Sequence, residues 1–215
     1  MRRAFLALFF LAACASPRQL VVVTTPDWAA VDGTLRMYER SGQSWRQVGD
    51  GVPVVVGRRG LAPIGEKKEG DGRAPSGRFP IGPAFGFAST ADVRLPYRPL
   101  LPTTECVDDV RSRFYNAIVE RDADADWTSS EKMRQIDQYR LGAVIGHNPK
   151  GQPGKGSCIF LHIWTGPAHG TAGCTAMPEG DLARLLAWLD PAAHPRLVQL
   201  PAAEYERVRA GWGLP

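Results

Sequence analysis

The sequence predicts a mostly β fold with a few packed α-helices. Short runs rich in β-branched and aromatic residues recur along the chain, and Gly and Pro separate them. Towards the C-terminal end, two segments instead space their apolar residues as a helix does. With 44% hydrophobic and 22% charged residues in 215, the chain has the composition of one ordinary globular core.

The predicted strands follow one another through the chain. The early ones are the runs "QLVVVTTPDW", "GTLRMYER" and "SWRQVGDGVPVVVGRRG", and a glycine-rich connection then leads into a strand around residues 79–81. The later ones are "LGAVIGHN" and "GSCIFLHIW". In the last run, alternation places four side chains on one face, namely Cys158, Phe160, His162 and Trp164.

Three helices are predicted. The segment "TSSEKMRQIDQY" is expected to form a short helix with Thr128 or Ser129 as its N-cap. The segment "PEGDLARLLAWLDP" gives the clearest helical pattern, because its four leucines fall on one face and Pro191 lies beyond its end. A short C-terminal helix is expected around "AAEYERVRA".

The N-terminal segment "MRRAFLALFFLAACASP" has the layout of a secretory signal: two arginines, an apolar run and small residues. That run is shorter than the roughly 20 residues a membrane-spanning helix needs. Its last residues, Leu11 to Cys14, match the bacterial lipobox, in which the cysteine is acylated and becomes the first mature residue. The alternative is an ordinary signal peptide with a chance cysteine. We therefore expect a signal peptide over 1–13, a tether over 14–20 and a single domain over 21–215, anchored in the cell envelope or periplasm as a lipoprotein.

The distribution of charge along the sequence argues against a nucleic-acid partner. The formal net charge is +4, and two of the positive charges lie in the predicted signal peptide. No run of Lys and Arg is long enough to form a nucleic-acid-binding face. We expect a monomer that binds no nucleic acid and needs no cofactor.

The number of cysteines indicates whether one of them keeps a free thiol. If Cys14 carries the lipid, three remain, and an odd number in an exported protein leaves one free thiol exposed to oxidation. A disulfide between Cys106, in a polar connection, and Cys158 is favoured, and closing that loop would stabilise the fold by roughly 4 kcal/mol. The alternatives are two separate reduced thiols, or a Cys158–Cys174 disulfide, which would abolish any nucleophile.

The remaining cysteine, Cys174, lies in the glycine-rich loop of "HIWTGPAHGTAGCTAM". A catalytic thiol needs a base, and His162 supplies one if this loop folds back on its strand. In a loop of small residues we expect the sulfur to be partly exposed, and the thiolate to persist below the usual pKa of about 8.5. Gly173 leaves room for a substrate carbonyl, and the N–H groups around 172–175 can face the oxyanion that forms.

Two other interpretations of this pair stay open. Cys174 could be a core cysteine beside a buried His162. A zinc site could use Cys174 with His162, His169 or His147, but the paired short spacing of zinc ligands is absent.

These residues carry a resemblance to the L,D-transpeptidase catalytic domain, the YkuD-type fold. That signature is a histidine ending a strand, a variable loop and then Ser/Thr-x-Gly-Cys, which is similar to His162 followed by "TAGC" at 171–174. A second family element resembles "APSGRFPIG" at 74–82, and "GHN" and "GSCIFLHIW" add to the likeness, which spans roughly residues 50–200. The resemblance implies a barrel-like or sandwich-like β-sheet.

The resemblance also implies roles for single residues. Cys174 would attack a stem-peptide carbonyl of peptidoglycan and form a thioester, with His162 as base and then acid, and Gly173 beside the oxyanion hole. Transfer to an amine makes a cross-link, whereas transfer to water makes a carboxypeptidase or hydrolase. Four residues are expected to line the substrate site: His147, Asn148, Thr171 and Thr175.

The sequence departs from the family at two points. Ala176 stands where the family commonly has an arginine that can hold a substrate carboxylate, and the spacing between His162 and Cys174 is short. Both leave the acceptor and the exact reaction open. A non-enzymatic alternative is an envelope lipoprotein that binds peptidoglycan without turning it over.

Overall fold

A computed structural model describes residues 16–215, so the predicted signal peptide and Cys14 lie outside the described residues. Two α-helices are present, α1 (Glu179–Trp188) and α2 (Ala202–Trp212). The strands are β1 (Gln19–Thr25), β2 (Asp32–Ser41), β3 (Ser44–Val55), β4 (Leu61–Ala62), β5 (Ala74–Pro75), β6 (Gly77–Gly86), β7 (Tyr97–Pro99), β8 (Thr104–Val107), β9 (Ile118–Glu120), β10 (Ser130–Lys132), β11 (Leu141–Ile145), β12 (Phe160–Ile163), β13 (Thr175–Met177) and β14 (Arg196–Pro201).

Nine of these strands form one sheet in the order β11-β12-β13-β3-β2-β1-β14-β6-β7. A further pairing of β11 with β6 closes this sheet into a barrel, because β6 is long enough to pair with β14 through its first half and with β11 through its second. Two small sheets, β10-β8-β9 and β4-β5, complete the fold. The predicted class, mostly β with a few packed helices and a barrel-like sheet, is confirmed.

The apolar residues of the strands fill the barrel and its flanks. The main core combines inward side chains of β1, β2, β3, β11 and β12 with four fully buried leucines, namely Leu182, Leu185 and Leu186 of α1 and Leu189, its C-cap residue. The four leucines predicted to share one helix face therefore dock on the sheet, and helix α2 covers a second core on β1 and β14 through Tyr205. No helix in the range 16–215 is long and apolar enough to cross a membrane.

The helix expected in "TSSEKMRQIDQY" is not an α-helix. Residues Ser130–Lys132 form strand β10 against β8, and two short 3₁₀ helices follow, Met133–Gln135 and Asp137–Arg140. Thr128 does not cap a helix, because its hydroxyl donates to Asp109 at 2.9 Å. Strand pairing and the burial of apolar side chains in this segment override its local helix propensity.

Strand β12 is shorter than the run "GSCIFLHIW" predicted. Cys158 lies before the strand with a φ of 54°, and its backbone N–H donates to Oδ1 of Asn116 at 2.9 Å instead of to a neighbouring strand. Its side chain nevertheless packs in the same buried cluster as Phe160, on the face that the alternation predicts, whereas Ile159, Leu161 and Ile163 pack in the main core.

Candidate active site

Strand pairing brings His162 and Cys174 to the same part of the sheet. β12 and β13 are parallel neighbours, with Leu161 opposite Thr175 and His162 opposite Ala176. Cys174 directly precedes β13, so the two-residue period places it on the same face as His162, diagonally across the strand pair. The loop between them folds back as the sequence predicts.

His162 is held in a tautomer suited to a base. It is 8% exposed, and its Nδ1 lies 2.7 Å from the carbonyl oxygen of Ile163, to which it donates. That bond leaves Nε2 as the nitrogen with the free lone pair. Burial lowers the pKa of His162 below its usual 6.5, so the imidazole is neutral and able to accept a proton at neutral pH.

Cys174 is buried, which corrects the expectation of a partly exposed sulfur. The residue is 5% exposed, and its Sγ accepts from the N–H of Phe160 and donates to the carbonyl oxygen of Cys158, both at 3.3 Å. Burial raises the pKa of the thiol well above its usual range. The expected low-pKa thiolate is therefore wrong for this state, because an uncharged S–H group is the form that a buried site favours. No hydrogen bond joins His162 to Cys174 in the part of the chain that the structure describes.

A tyrosine and a glutamate lie beside the sulfur. The Tyr139 hydroxyl donates to Oε2 of Glu131 at 2.6 Å, and its ring packs edge-on against His162 with centroids 5.4 Å apart. Burial and the Glu131 charge raise the thiol pKa, and a Tyr139 hydroxyl that turned its proton from Glu131 to the sulfur would act in the opposite direction. Burial raises the pKa of Glu131 to about 7. The carboxyl therefore gains its charge near neutral pH.

The backbone around Gly173 fits the proposed oxyanion site in part. A Cβ at Gly173 would lie 3.1 Å from the carbonyl oxygen of Arg73, so a larger side chain would press on the backbone there. The Gly173 N–H already donates to Oγ1 of Thr171 at 3.1 Å. The Cys174 N–H, by contrast, has no acceptor among the described residues. The Cys174 N–H is therefore the backbone donor that is available to an oxyanion.

A cavity of about 180 Å³ opens beside His162. Its lining includes Tyr139, His162, Trp164, His169, Thr171 and Ala176. Ala176 is fully buried and lies opposite His162, so the small side chain leaves open the space that a longer one would occupy. Alanine at this position, where the family commonly has an arginine, therefore affects the shape of the cavity.

The expected substrate residues His147 and Asn148 lie in a turn. The Asn148 side chain donates to the carbonyl oxygens of Gln152 and Gly156 at 3.0 Å and accepts from the N–H of Gln152 at 2.9 Å. His147 Nε2 lies 2.8 Å from the carbonyl oxygen of Lys155. These contacts close the loop 148–156, and neither residue lines the cavity beside His162.

The expected substrate residues Thr171 and Thr175 also make internal bonds. The Thr171 hydroxyl donates to the carbonyl oxygen of Cys174 at 2.7 Å, and its backbone pairs with Val56, which fixes the loop that presents the thiol. Thr175 is 2% exposed, and its hydroxyl donates to Gln199 at 2.6 Å. Thr171 reaches the cavity, whereas Thr175 is enclosed in the sheet away from it.

Cys106 and Cys158 form a disulfide, and Cys174 has a free thiol. The disulfide links β8 to the residues before β12, and its sulfurs pack in the same buried cluster as Cys174. Within residues 16–215 no group of three or more His, Cys, Asp or Glu side chains is placed to hold a metal ion.

Removing the disulfide should destabilise the barrel. Because the bond joins residues 52 apart, replacing both Cys106 and Cys158 by alanine should lower the free energy of unfolding by about 4 kcal/mol in the chain-entropy model. Denaturant unfolding with and without reductant measures this difference. Reductant should change the wild type and leave the double variant unchanged. A Cys158–Cys174 peptide in a non-reducing digest would contradict the pairing.

The sequence that contains these residues matches the model of a known protein family, and the match extends over most of the chain. The model of the L,D-transpeptidase catalytic domain, YkuD, matches residues 26–199. The chain belongs to this family. The match begins well before the segment from residue 50 on which the motifs lie.

Comparisons with single proteins add little to this family assignment. A solved structure, that of Bd1075 from Bdellovibrio bacteriovorus, is similar with a TM-score of 0.47 and 14% sequence identity. The likeness covers 91% of this chain and 54% of that one, so the chain spans about half the length of that protein. No curated protein matches the sequence.

Sequence reasoning missed Tyr139 and Glu131. Both lie in the segment predicted as a helix, more than twenty residues before His162, and only the pairing of β10 with β8 and the turn at Asp137–Arg140 bring them to the sulfur. It also missed Lys67, which is 4% exposed, donates to Asp71 at 2.6 Å and lies next to Gly173. A buried lysine in a glycine-rich connection has no local sequence signal.

Proposed function

We propose that the protein is an envelope-anchored cysteine acyltransferase that acts on peptidoglycan stem peptides through a thioester on Cys174. The observation that carries the proposal is the placement of Cys174 diagonally opposite His162 on one face of the β12–β13 pair. Within residues 16–215, Nε2 of His162 and the N–H of Cys174 have no hydrogen-bond partner. These are the groups that acyl transfer needs as nucleophile, base and oxyanion donor.

The first half of the reaction forms the thioester. Cys174 turns its thiol from the Cys158 carbonyl towards His162, whose Nε2 takes the proton as the sulfur attacks the carbonyl carbon. The oxyanion accepts from the Cys174 N–H. When the tetrahedral intermediate collapses, the C–N bond breaks, and His162 gives its proton to the leaving amine.

The second half releases the acyl group. An amine or a water molecule attacks the thioester carbonyl while Nε2 of His162 takes a proton from it, and the C–S bond breaks. The departing sulfur regains the proton from the imidazolium. Because Ala176 offers no cation for an acceptor carboxylate, the choice between an amine and water is left to the remaining cavity residues.

Incubation of the pure protein with defined muropeptides tests the proposal. We expect shortened or cross-linked products by mass spectrometry, and a mass increment of one acyl group on Cys174 when the reaction is quenched with acid. Unchanged muropeptides together with retained binding to sacculi would instead support the non-enzymatic peptidoglycan-binding alternative.

The Tyr139 hydroxyl should assist formation of the thiolate by turning its proton from Glu131 to the sulfur as the negative charge forms. Tyr139→Phe removes only the hydroxyl and keeps the ring against His162, so we expect alkylation of Cys174 by iodoacetamide to slow roughly 10- to 100-fold, as for a lost hydrogen bond to a charged group. Because burial raises the thiol pKa, the wild-type rate should still be rising with pH above 8.5. Equal rates in both proteins across this pH range would exclude the role.

The lipid anchor is proposed from the lipobox ending at Cys14. The mature protein should partition with membranes and carry diacylglycerol mass on its first residue. Cys14→Ser should be released from membranes by a high-salt wash that leaves the wild type bound, because salt screens attraction between charges and does not extract acyl chains. Retention of the variant through that wash, or a mature N-terminus elsewhere, would contradict the anchor.

A further inference from the structure

A basic groove of about 510 Å³ lies where the N-terminal residues enter the barrel. We call this the anchor groove. Three arginines and two tryptophans line it, namely Arg40, Arg78, Arg196, Trp45 and Trp212. Ser16 and Pro17, the first described residues, also line it, and no carboxylate side chain does.

Two of the three arginines stack on tryptophan rings, and none of the three pairs with a carboxylate among the described residues. The Arg40 guanidinium lies 5.1 Å from the ring centroid of Trp45, and that of Arg78 lies 4.8 Å from the ring of Trp212. Among residues 16–215, ten other arginines each have a carboxylate oxygen within 4 Å, whereas Arg40, Arg78 and Arg196 have none. Stacked, unpaired guanidinium groups are suited to bind an anion such as a phosphate.

The sequence places the proposed lipid close to this groove. Two peptide units separate position 14 from Ser16, and an extended chain spans at most about 7 Å over that distance. If Cys14 is acylated, as the proposed function includes, the anchor groove must lie against the head groups of the bilayer. Tryptophans suit this layer, since their rings are apolar and their N–H groups polar.

We propose that the anchor groove binds the phosphate of an anionic phospholipid head group beside the acylated N-terminus. The lipid chains and the three arginines then hold the barrel in one orientation, since each basic residue near an anionic surface adds to membrane attraction. The anchor groove shares no lining residue with the cavity beside His162, so this contact leaves that cavity uncovered.

Vesicle binding by the chain without its leader tests the groove independently of the anchor. Residues 16–215 contain every strand, helix and core cluster described above, and so serve as a soluble protein. We expect this protein to sediment with phosphatidylglycerol vesicles and not with phosphatidylcholine vesicles. Substituting all three groove arginines by glutamine should weaken partitioning about 100-fold, or roughly fivefold for each charge.

A control variant with the same change in net charge separates the groove from general attraction. Arg111, Arg113 and Arg184 are exposed and lie outside the groove, and their replacement by glutamine should weaken partitioning less than fivefold. Equal weakening in both triple variants, or no binding of the wild type to phosphatidylglycerol, would overturn the proposal.

Inorganic phosphate distinguishes a free anion from a lipid head group. At millimolar concentration, compared with chloride at equal ionic strength, it should leave vesicle binding unchanged. If it displaces the vesicles, the groove is a site for free phosphate, and the lipid assignment fails. The lipid anchor is tested separately, by the mass of the mature N-terminal residue.

Discussion

Replacement of Cys174 by alanine or by serine is expected to abolish all muropeptide turnover. In the proposed reaction the thioester forms on the Cys174 sulfur, and neither substitute supplies a nucleophile that a neutral imidazole can activate comparably. The two variants differ in their effect on stability. Serine can still accept from the Phe160 N–H and donate to the Cys158 carbonyl oxygen, whereas alanine leaves that buried N–H without a partner, at a cost of about 1–3 kcal/mol.

This difference keeps the experiment decisive. Cys174 is buried, so lost activity in the alanine variant alone could follow from a weakened fold. The serine variant should retain the thermal midpoint of the wild type and lose turnover, the acyl-protein mass increment and alkylation together. Turnover by a folded serine variant would show that the thiol is structural, and the enzyme proposal would fail.

Replacement of His162 by asparagine is expected to slow acylation by roughly 10²–10⁴-fold, the contribution of a positioned general base. Asparagine keeps a donor near the position of Nδ1 for the Ile163 carbonyl oxygen and removes only Nε2. Single-turnover formation of the acyl-protein, followed by mass spectrometry, measures the rate.

The pH profile should identify the same group. The reaction needs neutral His162, and burial lowers its pKa below 6.5, so the acid limb of the wild-type rate should lie below pH 6.5 and be absent from the variant. His169→Asn is the matched control, since His169 is exposed and lines the same cavity. An equal loss of rate in both variants would assign the base elsewhere.

The sequence predicts the larger elements because their signals are local. The leucines at 182, 185, 186 and 189 repeat with the period of a helix, and they do pack on the barrel. The strand runs alternate or are continuously apolar, and all of them contribute strands to the nine-stranded sheet. The segment "TSSEKMRQIDQY" was predicted wrongly because its pairing partner, β8, lies more than twenty residues away. The spacing of apolar residues within the segment does not report such a distant pairing.

The sequence predicts which residues of the candidate site react, but it does not predict the pKa of the Cys174 thiol. A histidine at the end of an apolar run, a loop of small residues and a Gly-Cys pair define the nucleophile and base from sequence. The state of the thiol depends instead on what surrounds it. Phe160, Cys158 and Tyr139 enclose the sulfur, and their contacts with it follow from strand register and from the turn at Asp137–Arg140.

The sequence by itself determined the fold class and the family, and it predicted the Cys174–His162 pair and favoured the disulfide that leaves Cys174 free, since all four rest on residue types and their spacing. Tertiary structure alone decided that Cys174 is a buried, uncharged thiol, that Tyr139 and Glu131 stand beside it, and that Thr175 is enclosed away from the cavity. The physical reason is that a pKa depends on desolvation and on charges a few ångströms away, and those neighbours come from segments far apart in the chain.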